Sequence, residues 1–343
     1  MLNNTISSIE KAHIYSNRSR QRSHLRGEGN ATELLEQLTR LTRVSNLTNL
    51  SKQHIFDMCE NTKQALFLNK DMLEKLSHSE LLALQRIFNP FVMSSNFLKR
   101  CFMKPRGYAG DFKTIKDIYE NAPAGSGVAG KMIDEWALGL NACQAVRYRR
   151  NKVSSDIGHM LRSLSTSTPL NVTSLAIGPA QEIFDIFNDY PEANMMISGI
   201  DIDEQAIDYC NNTALHSLND PSRLRLFRDN LIKMALGRSA SPLSLQDFVY
   251  SMGLIDYFKD SIVVKLIDWA FDQLKDGGTL ALGNFAAENK DKPFMDHVVD
   301  WKLIHRTPAQ MQELFAKSKF GQRTVHIDQD PTGIQLFAYC KKT

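Results

Sequence analysis

The chain has 343 residues, enough for one large domain or two ordinary ones, and its 43% hydrophobic and 9% aromatic content suffices for a buried core. Forty-one basic side chains against 38 acidic ones leave a formal charge of +3, which argues against nucleic acid or an anionic membrane as the main partner. The five cysteines (Cys59, Cys101, Cys143, Cys210, Cys340) are scattered, without C-x-x-C or mixed Cys/His spacing, so the expectations are reduced thiols, no metal site and a cytoplasmic setting.

The start, "MLNNTISSIEKAHIYSN", has no apolar h-region, and no run of about 18 apolar residues occurs, so no membrane span is expected. The stretch "NRSRQRSHLRGEG", Asn17 to Gly29, lacks apolar periodicity, and residues 1–30 are expected to form a mobile basic arm. Residues 31–165 read as a helical domain. In "ATELLEQLTRLTRV", Leu34, Leu35, Leu38, Leu41 and Val44 recur at helical spacing. Ser77 and Glu80 form a capping-box pattern before the stripe Leu81, Leu84, Ile87 and Phe88, which Asn89-Pro90 should interrupt. The spacing of Ile133, Trp136, Leu140, Cys143 and Val146 predicts one long helix between Lys131 and Leu164. Its segment "VRYRRN" is either a wall of a ligand cleft or a solvated basic face.

After Pro169 short apolar runs alternate with helical segments: "NVTSLAIG", "NMMISGIDID", "RLRLFRDN", "QDFVYSMG" and "GGTLALGNF". This alternation predicts βαβ units and a parallel sheet covered on both faces over residues 166–343. Asp203 is placed to cap one helix, and Thr307, Pro308 and Gln310 to start another that Gly321 would stop. The last runs, "QRTVHIDQ" and "GIQLFAYC", flank the turn "DPTG" and predict an antiparallel hairpin at one sheet edge.

Ligands of open α/β sheets bind beyond the carboxyl ends of the strands. The turn Ile177-Gly178-Pro179-Ala180 lies at such an end, with one glycine where a dinucleotide fingerprint has three. Pro179 removes a backbone donor and Glu182 adds a carboxylate, which disfavours phosphate. S-adenosylmethionine (SAM) carries no phosphate, and its sulfonium and ammonium suit a close-approach Gly178, with Ala180 beside it and Glu182 nearby. Asp201, followed by Ile202, ends the second run and is the expected holder of ribose hydroxyls. Asp229 is placed to accept from the adenine amino group with Asn230 supporting the turn, unless the two only cap the loop. Ser251, Met252 and Gly253 end the fourth run beside the methionine part of SAM.

The ordered series "SLAIGPAQEI", "GIDID", "FRDN", "YSMGLIDYF" and "GGTLALGNF" resembles the class I SAM-dependent methyltransferases. More narrowly, "KPRGYAGDF" (Lys104 to Phe112), "GNF" (Gly283 to Phe285), "DWKLIHRT" (Asp300 to Thr307) and "DPTGIQLF" (Asp330 to Phe337) resemble the bacterial family that includes the enzyme making the 3-hydroxypalmitate methyl ester signal. The resemblance implies a Rossmann-like sheet of seven strands with a C-terminal antiparallel hairpin, and a helical N-terminal lid. It also implies that Tyr108 and Asp111 approach the methionyl end of SAM. Ile177 departs from the smaller residue such families carry before the glycine.

The expected activity is methyl transfer to a small-molecule acceptor, a carboxylate of fatty or amino acid type. Such an acceptor is ionised at neutral pH and needs no base; His305 is the candidate base for other acceptors. Two alternatives stay open: cyclisation of SAM to azetidine-2-carboxylate with release of methylthioadenosine, and a noncatalytic SAM-binding module. Oligomeric state is not legible.

Overall fold

A computed structural model describes residues 30–42, 51–163 and 168–343. Residues 1–29 of the expected arm, Val44, Leu164 and the expected domain boundary at 165 lie outside the described residues. Two compact units make up the rest. One holds the described residues up to Met103, Pro123–Trp136 and Lys290–Trp301; the other holds Lys104–Ala122, Ala137–Asn289 and Lys302–Thr343.

The first unit contains α1 (Ala31–Leu41), α2 (Lys52–Leu68), α3 (Lys70–Leu73), α4 (His78–Ser94) and α5 (Asn96–Met103), then most of α7 (Gly127–Leu138), which follows α6 (Phe112–Glu120) of the other unit. The capping box at Ser77 and Glu80 is present. However, α4 does not stop at Asn89: it runs through Pro90 to Ser94. Phe88, Phe91 and Val92 are buried on either side of that proline, and packing of this apolar face outweighs the backbone bond that proline removes. Phe91, Trp136 and Phe294 meet edge to face with centroids 5.3–6.5 Å apart.

The second unit contains α6 and α8 (Asn141–Ser163), followed by β1 (Leu170–Leu175), α9 (Gln181–Asp189), β2 (Met195–Asp201), α10 (Glu204–Ser217), β3 (Leu224–Arg228), α11 (Leu231–Ala235), β4 (Gln246–Ser251), α12 (Asp260–Gln273) and β5 (Leu274–Phe285). After α13 (Lys292–His297) of the helical unit come α14 (Pro308–Ala316), β6 (Val325–Gln329) and β7 (Gln335–Lys341). The seven strands form one sheet in the order β3-β2-β1-β4-β5-β7-β6. All pairs are parallel except β5–β7 and β6–β7. This is the expected Rossmann-like seven-stranded sheet, with its antiparallel hairpin at the edge.

Strand residues alternate between two cores. Leu175, Ile200 and Val249 face the core that includes α12 and α14 residues, whereas Val172, Ile197 and Phe248 face the core that includes α8, α9 and α10 residues. Val153 and Ile157 of α8 belong to that second core, so α8 is part of the sheet unit although it precedes β1. The single long helix expected between Lys131 and Leu164 is two, α7 and α8, broken at Gly139–Leu140, where a glycine weakens helix continuation. The cap of α14 is as expected, Thr307 accepting from Gln310 N and Gln310 returning the bond, but the helix ends at Ala316, ahead of Gly321. Among the described residues no helix is long and apolar enough to cross a membrane.

Candidate active site

The β1–α9 turn carries three left-handed backbone positions, Ala176 (φ 58°), Gly178 (φ 55°) and Ala180 (φ 54°). Only glycine takes this region without strain, so the two alanines must be held there by the surrounding structure. Ile177 N donates to Ile200 O across 3.2 Å, Gly178 N to Asp201 Oδ2 across 3.0 Å, and Ala180 N to Ile177 O across 3.2 Å. The departure at Ile177 has its own compensation: a Cβ on Gly199 of β2 would collide with the Ile177 side chain. The bulk lost from one strand is supplied by the next.

Asp201 is therefore joined to the Gly178 turn. It is 8% exposed, and its other oxygen accepts from Asp203 N across 2.9 Å. Burial pushes its carboxyl up, against the backbone donors that favour the charged form. A carboxylate has about four acceptor positions; the backbone N–H groups of Gly178, Asp203 and Ile202 act on this one, which leaves acceptor capacity for a ligand hydroxyl. Ile202, next to it, is 60% exposed. Asp201 O accepts from Asp229 N across 3.0 Å, which brings the end of β3 beside it.

Glu182 has a role the sequence did not indicate. It is buried in the first turn of α9 and accepts from the Tyr250 hydroxyl of β4 across 2.9 Å; burial raises its carboxyl. An acidic side chain in the first turn of a helix takes the place a phosphate would need there. Ser251 is buried and donates to Leu175 O across 2.8 Å. Met252 packs over Gly283, where a Cβ would approach its sulfur to 2.9 Å.

The segment Lys104 to Gly110 is pinned at two places. Arg106 forms a fork onto both Asp203 oxygens, Nε at 2.8 Å, and reaches Gln205 as well. Tyr108 donates to Asp203 Oδ2 across 3.0 Å. Further on, Ala109 O accepts from the Tyr257 hydroxyl across 2.8 Å. Asp203 follows β2 and Tyr257 follows β4, with β1 between them, so the segment is anchored on both sides of the Gly178 turn. Gly107 (φ 86°) supplies the bend between the anchors. Burial alone would raise Asp203, but the bonds from Arg106 and Tyr108 outweigh it and hold the carboxyl below its ordinary value.

The other expected residues make the following contacts. Asp111 is buried and caps α6, accepting from Lys113 N and Thr114 N across 3.0 and 2.9 Å. Asn230 caps α11 through Ile232 N and Lys233 N, the capping alternative. Asp229 accepts from Ser239 Oγ across 2.9 Å. His305 lies against Phe285 at the end of β5, centroids 5.8 Å apart, two strands beyond β1. Pro179 sits between Gly178 and Ala180 in the turn. Arg106, Asp203 as a loop anchor, Arg149, Asp256 and Tyr257 were not singled out. Arg106 stands inside the quoted motif "KPRGYAGDF", Asp256 and Tyr257 inside "YSMGLIDYF", and Arg149 inside the basic segment "VRYRRN". Among the described residues no group of three or more His, Cys, Asp or Glu could hold a metal ion.

A family model described as "Putative methyltransferase" matches residues 103–220, from the pinned segment through α10. No curated protein sequence matches the chain. Among solved structures, a possible exported protein from Bordetella parapertussis is similar at 16% identity, with 94% of this chain and 96% of that one covered and a TM-score of 0.53. Magnesium protoporphyrin IX methyltransferase of Synechocystis PCC 6803, with bound S-adenosylhomocysteine, is 10% identical over 72% of this chain and 98% of its own, at a TM-score of 0.48. The 1,6-didemethyltoxoflavin-N1-methyltransferase of Burkholderia thailandensis, bound to 1,6-didemethyltoxoflavin and S-adenosylhomocysteine, is 13% identical over 57% and 78%, at 0.41.

Proposed function

We propose that this chain is a SAM-dependent methyltransferase acting on a small-molecule acceptor, a carboxylic acid or a related group. The observation that carries the reading is the Gly178–Asp201 pair: a strained turn at the end of β1 bonded to a buried carboxylate at the end of β2 that keeps acceptor capacity for a ribose hydroxyl. Glu182 at the start of α9 supports a ligand without phosphate, so a nicotinamide dinucleotide fits this turn poorly. The residues present suit SAM, with Asp201 for the sugar, the β3 end at Asp229 for the base, and the β4 end at Ser251 to Gly253 for the amino-acid tail.

Bound SAM supplies an electrophilic methyl group on positive sulfur. The chain's part is to hold the two reactants in line and dry, and such positioning is worth about 7 to 11 kcal/mol in favourable cases. Arg106, Tyr108 and Tyr257 hold the Lys104–Gly110 segment across the turn, and the Tyr108 ring is available to a cation at about 0.5 to 2 kcal/mol. An ionised acid acceptor requires no proton removal, which agrees with Asp111 and His305 having other contacts.

The test is to incubate the protein with SAM alone and then with candidate acids, identifying the nucleoside product by mass spectrometry. S-adenosylhomocysteine formed only with acceptor supports methyl transfer. Methylthioadenosine formed from SAM alone would establish ring closure instead, and SAM bound but unconsumed would leave a binding module.

A further inference from the structure

At 1% exposure Arg306 is the bulkiest fully buried side chain among the described residues. Its backbone is fixed to the end of β5, where Arg306 N donates to Phe285 O across 2.9 Å and Ala287 N to Arg306 O across 3.1 Å. From there the guanidinium reaches the turn that follows β4. Nη1 donates to Ile255 O and Asn284 Oδ1 across 3.1 and 2.7 Å, Nη2 to Phe258 O and Asp260 Oδ1 across 2.7 and 2.9 Å, and Nε to Asp260 Oδ1 across 3.1 Å. All five donors of the planar group are used, so this cation is buried with no donor unmet. The Asp260 side chain is 59% exposed, and solvent screens that charge pair. The fixed fork onto two carbonyls is the part that a lysine could not copy.

The two carbonyls bracket Tyr257. Ile255–Tyr257 is a single 3-10 turn, closed by bonds from Tyr257 N to Leu254 O and from Phe258 N to Ile255 O at 3.2 and 3.1 Å. A run this short has little stability of its own, so its placement follows from what holds its ends. Arg306 holds a carbonyl on either side of Tyr257, and Asp256 Oδ1 accepts from Phe285 N across 2.8 Å, tying the same turn to β5. The Tyr257 hydroxyl in turn reaches Ala109 O across 2.8 Å, one of the two anchors of the Lys104–Gly110 segment. We propose that Arg306 is a positioning residue of the candidate site: by fixing the carbonyls around Tyr257 to the end of β5, it sets where the tyrosine hydroxyl stands and so holds the Lys104–Gly110 segment across the Gly178 turn. It acts through Tyr257 and need touch no ligand. Its effect on ligand exit rests on the methyltransferase reading; its hold on the segment does not.

Hydrogen–deuterium exchange of the full chain, read by mass spectrometry on peptides covering Lys104 to Asp111, compares wild type with Tyr257→Phe, Arg306→Lys, their double variant and Asp260→Asn. Melting curves confirm the fold. Tyr257→Phe should speed exchange of these peptides about fivefold, and Arg306→Lys, which keeps the charge but offers its donors from one atom, should do the same. The double variant should exchange no faster than either single one, because both changes break one linkage. Asp260→Asn removes the charge pair and leaves the bonds to the carbonyls, so it should lower the melting temperature with the segment at its wild-type rate. A merely structural arginine would give Arg306→Lys a lower melting temperature with the segment at its wild-type rate, or effects that multiply with those of Tyr257→Phe; either result overturns the proposal. If Arg306→Lys does not fold, Asn284→Ala, which takes one acceptor from Nη1, carries the comparison: faster segment exchange supports the proposal and the wild-type rate overturns it. Stopped-flow dissociation of S-adenosylhomocysteine then tests the consequence for the site, with equal acceleration expected in Tyr257→Phe and Arg306→Lys. A loosened segment with unchanged dissociation overturns the effect on ligand exit. Wild-type protein that binds no S-adenosylhomocysteine overturns the methyltransferase reading and leaves the exchange result standing.

Discussion

The Tyr108 hydroxyl and the Asp203 carboxylate, 95 residues apart in sequence, meet at 3.0 Å and tie the Lys104–Gly110 segment to the cap of α10. Arg106 shares the same carboxylate through its fork. Tyr108 is thus spent as a donor on Asp203 while its ring stays 41% exposed.

Release of this anchor should appear in kinetics before it appears in affinity. Arg106→Ala removes charge-assisted bonds of the order of 1.5 to 3 kcal/mol, so S-adenosylhomocysteine dissociation should accelerate about tenfold in stopped flow. Tyr108→Phe removes one neutral donor and leaves the fork, and its effect should stay within about threefold. Equal rates in wild type and Arg106→Ala would show that the segment does not govern ligand exit.

Asp201→Asn keeps an oxygen for Gly178 N but loses the charge and half of the acceptor capacity. Nucleoside affinity should fall by about 1 to 3 kcal/mol in calorimetry, together with a lower melting temperature, because the amide NH2 faces Asp203 N. Undiminished affinity would remove Asp201 from the sugar site.

The compensation between Ile177 and Gly199 is open to a double-mutant cycle. Gly199→Ala forces its methyl into the Ile177 side chain and should cost about 1 to 3 kcal/mol of stability. Added to Ile177→Ala it should cost much less, giving a coupling of about 1 kcal/mol or more in urea unfolding. Additive costs would show that the two side chains do not compete for space.

Asp256 sets a pH dependence. It accepts from Phe285 N across 2.8 Å, and burial raises its carboxyl from 3.8 to about 6. The folded state therefore holds this proton more tightly than the unfolded chain. The favourable contribution is complete below about pH 4 and is lost as pH rises through about 6. At about 1.4 kcal/mol per pH unit the loss reaches at most about 3 kcal/mol. Asp256→Asn keeps an acceptor for Phe285 and cannot titrate, so wild-type stability relative to this variant should fall between pH 4 and 6.5. A constant difference in denaturant melts would place the carboxyl near its ordinary value.

Much of the sheet was legible because short apolar runs and their bounding turns are local properties. All seven runs became strands, and the caps at Ser77, Asp203 and Thr307 formed where the pattern placed them. Errors came where one signal outweighed another: packing carried α4 through Pro90, whereas the local glycine Gly139 divided a helix that apolar spacing had joined. The site was legible at the turn Gly178 and at Asp201, which lie on adjacent strands and at the ends of their runs.

Local spacing thus determined which segments become strands, where helices start, and that an acid ends the second strand opposite a lone glycine. Only the tertiary structure decided which side chains share a carboxylate, because Arg106 and Tyr108 reach Asp203 from far along the chain and no periodicity records that encounter. It also turned Glu182 toward Tyr250 and brought Arg149 against Gly253. The physical reason is that hydrogen bonds and charge act over a few ångströms of space, while a sequence pattern records only neighbours along the backbone.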